Sequence, residues 1–244
     1  MNLPFEVYLD AITEESDRLV DAAGRGLAVS VPSCPGWHVE DLVRHVSGLY
    51  VRFGRRVGVT EESAADAGAP QFEPDEDDPI AALEAAAIEL VRILAAAGPD
   101  APWLSPAGRA TDVGWVARRM ALETAVHRVD AELARGAANA VERELAVDGI
   151  DEVIEDRLRL RVPAADHVSL GGSLCLACSD DPAAWVVEVD RGRMRVRNGR
   201  APANAALVAK ASDVFLFTWN RVDPELLSVT GDLRVAKAWR TLPV

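Results

Sequence analysis

The stretch "ALETAVHRVDAELA", residues 121–134, decides how the chain is read. Its apolar residues recur at helical spacing, yet Glu123 and His127 fall on the face that should be apolar. Four residues apart, they stack on one side of a helix with Cβ atoms about 6 Å apart. A buried carboxylate without a partner is costly, so a positive group is expected beside Glu123: Arg44, Arg128 or a metal ion. Upstream, "PGWHVEDLVRHVSGLY" (35–50) poses the same problem, with His45 set among Leu42, Val46 and Leu49. A third donor on the inner face of a second helix favours the metal. Two imidazoles and one carboxylate, with a fourth position open, make the catalytic kind of zinc site, since structural sites close with four protein ligands. The nitrogen-rich set suits Zn²⁺ better than Mg²⁺ or Ca²⁺, with Fe²⁺, Ni²⁺ and Mn²⁺ left open. The spacing is not H-E-x-x-H, so Glu123 is expected as a ligand and not as a base. Asp130, one turn beyond His127, is either an acceptor for the ring or a solvated residue at the rim. The plain alternative is that both histidines are hydrogen-bonded core residues and that Glu123 and His127 are an ordinary helical pair.

Outward from this stretch, the first half reads as helices. Phe5, Tyr8, Ile12, Leu19 and Ala23 give one amphipathic stripe, ended by the glycines of "AAGRG". A second helix is expected from about Val39 to Val57, with His38 at its N-cap and Asp41 at capping-box spacing. Asp78 and Pro79 open a third, and a fourth runs from about Asp112 to Arg135 with Val116, Met120, Glu123 and His127 inward. The acidic, Pro/Gly-punctuated segment 61–78 reads as a surface loop. Four such helices predict a four-helix bundle over residues 1–144. From residue 145 the period changes: one helix, "DGIDEVIEDRLRL", then alternating strand text and short helices, which predicts a small α+β domain over 145–244. The fold class is therefore α+β, in two domains.

The chain of 244 residues carries a net charge of −13, which works against nucleic acid and anionic membranes as partners. Its first residues lack a signal-peptide pattern and no stretch is long enough to span a membrane, so a cytoplasmic protein is expected. Three cysteines do not suggest a disulfide framework, and Cys175 and Cys178, three apart in strand-like text, point to opposite faces and are expected as buried strand residues. His167 reads as a strand-entry residue.

"PGWHVEDLVRHVSG" (35–48), followed some eighty residues later by "ETAVHRVDAELA" (123–134) and an α+β tail, resembles the actinobacterial mycothiol-dependent maleylpyruvate isomerase family, whose N-terminal half is a DinB-like bundle. The resemblance implies a divalent metal, zinc foremost, held by His45, Glu123 and His127. It implies mycothiol as thiol cosubstrate, a small electrophilic substrate, and a C-terminal arginine for an anionic substrate: Arg221, with Arg240 behind it. The chain departs from the family pattern at His38, where Thr or Ser is usual, and at Val129, often Trp. The expected activity is thiol transfer or cis–trans isomerisation by a monomer or homodimer. The alternatives are a hydrolase using metal-bound water and a non-catalytic binding bundle.

Overall fold

The computed structural model describes residues 3–60, 62–63, 77–105, 108–165 and 167–243. Most of the expected acidic loop, 61–78, lies outside the described residues. The chain is α+β and divides into two compact units, Leu3–Asn139 and Ala140–Val244. Among the described residues, no helix is long and apolar enough to cross a membrane.

The first unit carries α1 (Phe5–Ala23), α2 (Val39–Gly54), α3 (Pro79–Ala97) and α4 (Val113–Leu133), with the short strands β1 (Pro102–Leu104) and β2 (Ala110–Asp112) before α4. Helix α1 packs on α3 and α4, and α2 on α3 and α4. The starts of α2, α3 and α4 each have a local cause. The Asp78 carboxylate accepts from the backbone N–H of Ile80 and Ala81 at 3.1 Å with Pro79 at the first helical position, and Asp112 accepts from Trp115 N–H at 2.7 Å. His38 precedes α2, its backbone N–H donating to Asp41 Oδ2 at 2.7 Å.

Leu19, Leu42, Val46, Leu83, Leu90, Leu94, Val116 and Met120 fill the core, all fully or almost fully buried. Helix α4 differs from its neighbours: not one stripe but nearly its whole circumference is buried, including Arg118, Arg119, Arg128 and Asp130. The antiparallel pair β1–β2 occupies what the sequence presents as plain loop. Trp103 of β1 stacks on Phe53 at the end of α2, ring centroids 5.0 Å apart, and its Nε1–H donates to the Phe53 carbonyl at 3.0 Å.

A buried chain of hydroxyls ties α1, α2 and α4. Thr124 Oγ1 donates to Met120 O at 2.6 Å, so the Tyr50 hydroxyl donates to Thr124 at 2.5 Å and accepts from Ser16 at 2.7 Å. Burial first, tempered by those hydrogen bonds, pushes the Tyr50 phenol up to about 12. Between the ordinary tyrosine value of about 10 and that higher one, the folded chain keeps a proton that the unfolded chain gives up. Stability should therefore fall as pH rises through this window, by roughly 2–3 kcal/mol in full. Chemical denaturation at several alkaline pH values checks this: Tyr50→Phe should flatten the pH dependence, and an unchanged slope in that variant would refute it.

The second unit opens with α5 (Arg143–Glu152), which passes through a π-helical segment (Val153–Leu158) into the single turn α6 (Arg159–Arg161). The strands β3 (Ser169–Cys178), β4 (Ala184–Asp190), β5 (Arg193–Asn198), β6 (Ala205–Ala209) and β7 (Ser228–Gly231) form a sheet of order β5-β4-β3-β6-β7, parallel only between β3 and β6. That parallel step needs a crossover, whereas β4 follows β3 by a hairpin. Helices α7 (Ala211–Thr218) and α8 (Leu233–Ala238) pack on β3 and β6, and α5 packs on α7. Cys175, Ala177, Ala184 and Val186 form a small apolar cluster with Ala201 and Ala203. Cys175 and Cys178 are free, buried strand residues, as their spacing predicts.

Candidate metal centre

The site is built on α4 and on the entry to α2. Glu123, His127 and Asp130 follow one another at helical spacing, so one ridge of α4 carries all three. His127 Nε2 lies 3.7 Å from Glu123 Oε2, and on the other edge of the ring Nδ1 lies 3.0 Å from Asp130 Oδ2. Asp130 is fully buried, and a buried carboxylate at this distance accepts from Nδ1 and fixes the orientation of the ring. The second option in the sequence, a solvated rim position for Asp130, is excluded by this burial.

Segment 31–38 reaches the same carboxylate. Backbone hydrogen bonds from Cys34 to Val31, from Trp37 to Cys34 and from Val31 to Trp37 fold it tightly, with Gly36 at a φ of +85° that a side chain would strain. This places Ser33 Oγ 2.6 Å from Asp130 Oδ1 and Cys34 Sγ 3.6 Å from Asp130 Oδ2, both donating. His45 stands beside His127, ring centroids 5.0 Å apart and nearly perpendicular, with the Trp37 ring centroid 5.2 Å from that of His45. Burial, then the neighbouring His127, holds His45 below the usual histidine range against the opposing pull of Glu123. At neutral pH it is thus an uncharged imidazole with a lone pair to offer.

The structure brings His127 together with both Glu123 and His45. The cationic partner of Glu123 is one the sequence reading did not name: Arg119, one turn earlier on α4, donates to Glu123 Oε1. Arg44 instead pairs with Glu40, and Arg128 with Glu15 and Glu132. His38, about half exposed, lies near Asp41 at the start of α2, and His167 is exposed in the second unit. Arg221 follows α7, its Nη1 donating to the Trp219 carbonyl at 2.9 Å, while Arg240 pairs with Asp223 at 3.3 Å.

Sequence reasoning missed Cys34 as well. Its Sγ, a His127 nitrogen and an Asp130 oxygen lie within 4.8 Å of one another, a group of donors that could hold a metal ion. Residues 34 and 130 are 96 positions apart, so no spacing rule connects them.

Residues 9–132, just over half of the chain, match the family described as the mycothiol maleylpyruvate isomerase N-terminal domain. The chain belongs to this family. Two crystal structures of a mycothiol-dependent maleylpyruvate isomerase, one of a histidine-to-alanine mutant, are similar to the whole chain at TM-scores of 0.63 and 0.61. Each match covers 93% of both chains at 12% identity, so the likeness is one of fold, and it extends through both units. No curated protein matches the sequence. Within the maleylpyruvate isomerase family, then, this chain keeps the fold over nearly its full length with a sequence far from those two solved examples.

Proposed function

We propose that the chain is a divalent-metal-dependent enzyme that uses mycothiol to isomerise or thiolate a small electrophile, with His45, Glu123 and His127 as metal ligands on a DinB-like four-helix bundle. The observation that carries this reading is the clamped His127, whose Nδ1 is held by Asp130 so that Nε2 is presented toward Glu123. The donor chemistry fits: two imidazoles and one carboxylate suit Zn²⁺ and leave room for an exogenous ligand. A divalent ion bound there would lower the pKa of a coordinating thiol and supply a thiolate at neutral pH.

The protein's own groups do the rest. Arg119 fixes Glu123 through Oε1, which leaves Oε2 on the His127 side. The Trp37 ring packs against His45, and burial, then the neighbouring His127, disfavours the charged imidazole. For an isomerisation, the thiolate sulfur forms a bond to the activated alkene carbon and the π electrons move onto the conjugated carbonyl. Rotation about the new single bond follows, and expulsion of the thiolate restores the double bond in the trans form. For a transfer, the carbon–sulfur bond persists, the carbon next to the carbonyl takes a proton from solvent, and the product leaves as the thioether. In both, Arg221 is proposed to pair with the carboxylate of an anionic substrate.

Turnover of candidate electrophiles with and without added mycothiol tests the proposal, beside metal content. Thiol-independent hydrolysis would overturn the thiol chemistry and point to a metal-dependent hydrolase. Arg221→Ala should leave metal content unchanged and raise KM for an anionic substrate about 10-fold or more, the loss of one charge-assisted hydrogen bond. An unchanged KM would remove Arg221 from the site.

A further inference from the structure

We propose that Cys34, His127 and Asp130 form a second metal site, for a thiophilic divalent cation, on the opposite edge of the His127 ring from Glu123. The three donor atoms are already arranged as a coordination face. For a tetrahedral ion with a metal–sulfur bond near 2.3 Å and metal–nitrogen and metal–oxygen bonds near 2.1 Å, the nitrogen–oxygen edge is about 3.4 Å and the sulfur–oxygen edge about 3.6 Å. The observed separations are 3.0 Å between His127 Nδ1 and Asp130 Oδ2 and 3.6 Å between Cys34 Sγ and the same oxygen. An ion would need to spread the first by only a few tenths of an ångström.

Charge and access agree with this. One thiolate and one carboxylate balance a dication, and the imidazole adds a neutral donor. On binding, the Cys34 thiol proton leaves to solvent, the ring proton of His127 passes from Nδ1 to Nε2 by exchange with solvent, and the ion takes the place of the two hydrogen bonds made to Asp130. Asp130 is held by Ser33 through its other oxygen, so Oδ2 stays aimed at the ion. His127 and Asp130 are buried while Cys34 is only half-buried, which leaves an approach from the thiol side. Sulfur in the donor set selects for soft ions over Mg²⁺ or Ca²⁺.

The two sites compete for one ring. A neutral imidazole has one lone pair, so an ion at Nδ1 puts the proton on Nε2 and withdraws His127 from Glu123 and His45. Thiophilic ions would thereby switch the centre off. This consequence rests on the proposed function, whereas the second site does not.

Titration of metal-stripped protein with Cd²⁺, followed by the ultraviolet charge-transfer absorption of a cadmium thiolate, tests the site. The wild-type chain should develop the band and saturate at stoichiometric ion, and Cys34→Ser, a near-isosteric change that leaves the fold, should abolish it. A Cys175→Ser/Cys178→Ser double variant should retain the band, because those thiols are buried, with burial pushing Cys178 up to about 12. His45→Ala should also retain it, which separates this site from the one proposed above. If His45→Ala keeps the band but binds zinc as the wild type does, the earlier reading fails and this one stands. No band in the wild type, or a band that survives Cys34→Ser, would overturn the proposal. A band lost in folded His45→Ala would make Cys34 a ligand of the first site and overturn the second.

Discussion

With Glu123 as a metal ligand, as proposed, the Glu123→Ala protein should purify without metal while keeping the helical circular-dichroism signal of the wild type. Changes to groups that merely orient metal ligands cost about 10- to 100-fold in affinity, so removal of a direct ligand should cost more than ~100-fold. The variant also removes the Glu123 partner of Arg119, whose side chain is only 8% exposed, and this should lower stability by about 1–3 kcal/mol without unfolding the chain. Elemental analysis by mass spectrometry, beside His127→Ala and His45→Ala, checks the expectation. Metal retained at wild-type level in Glu123→Ala would take the carboxylate out of the site, and loss in all three variants with helical content intact would establish the set.

A larger stability effect is expected at Arg128. Its guanidinium is wholly buried and donates to Glu15 at 2.6 Å, to Glu132 at 2.9 Å and to the Asn139 carbonyl at 2.6 Å. Glu15 is nearly as enclosed, its side chain 4% exposed. Arg128→Ala leaves that carboxylate buried with only the half-exposed Arg18, 3.6 Å away, as counter-charge, a change worth about 3 kcal/mol. Urea denaturation should register it as a lower midpoint. Arg128→Met combined with Glu15→Leu should recover much of the loss, since apolar pairs of similar volume often replace buried ion pairs at little cost. If the double variant is no better than the single, the damage lies in packing or at Glu132 and Asn139 and not in the stranded charge.

What could be read from the sequence was whatever repeats locally. The stripe of α1, the Asp78–Pro79 start of α3 and the alternation of β3 to β5 follow from near-neighbour spacing, and each stands where that spacing predicts. The meeting of Glu123 with His127 is of the same kind, and that of His45 with His127 follows from two helices each turning an inner face to a common core. What escaped were features decided by distant packing. Strands β1 and β2 are three residues each, too short for alternation to register, and the aromatic stack of Trp103 on Phe53 secures them. Helix α4 lacks a clear stripe because it is enclosed nearly all round, yet Arg119 stands four residues before Glu123, so their pairing was within reach of helical spacing and was passed over. The contact of Cys34 with Asp130 depends on a folded loop meeting a helix almost a hundred residues later.

The π-helical turn after α5 bears on how this chain can tolerate changes in length. Such a turn holds one residue more than the α-helical turn it replaces, and the helix on either side keeps its facing. Deleting one residue within Val153–Leu158 should let the segment relax to ordinary α-helix, with Asp148 and Glu152 before it and the strands after it undisturbed. The same deletion within α4 would rotate half of the Glu123–His127–Asp130 ridge by about 100° and dismantle it. Chain-length variation among relatives should therefore gather at the π turn and be absent from α4, a pattern that an alignment of closer sequences would reveal.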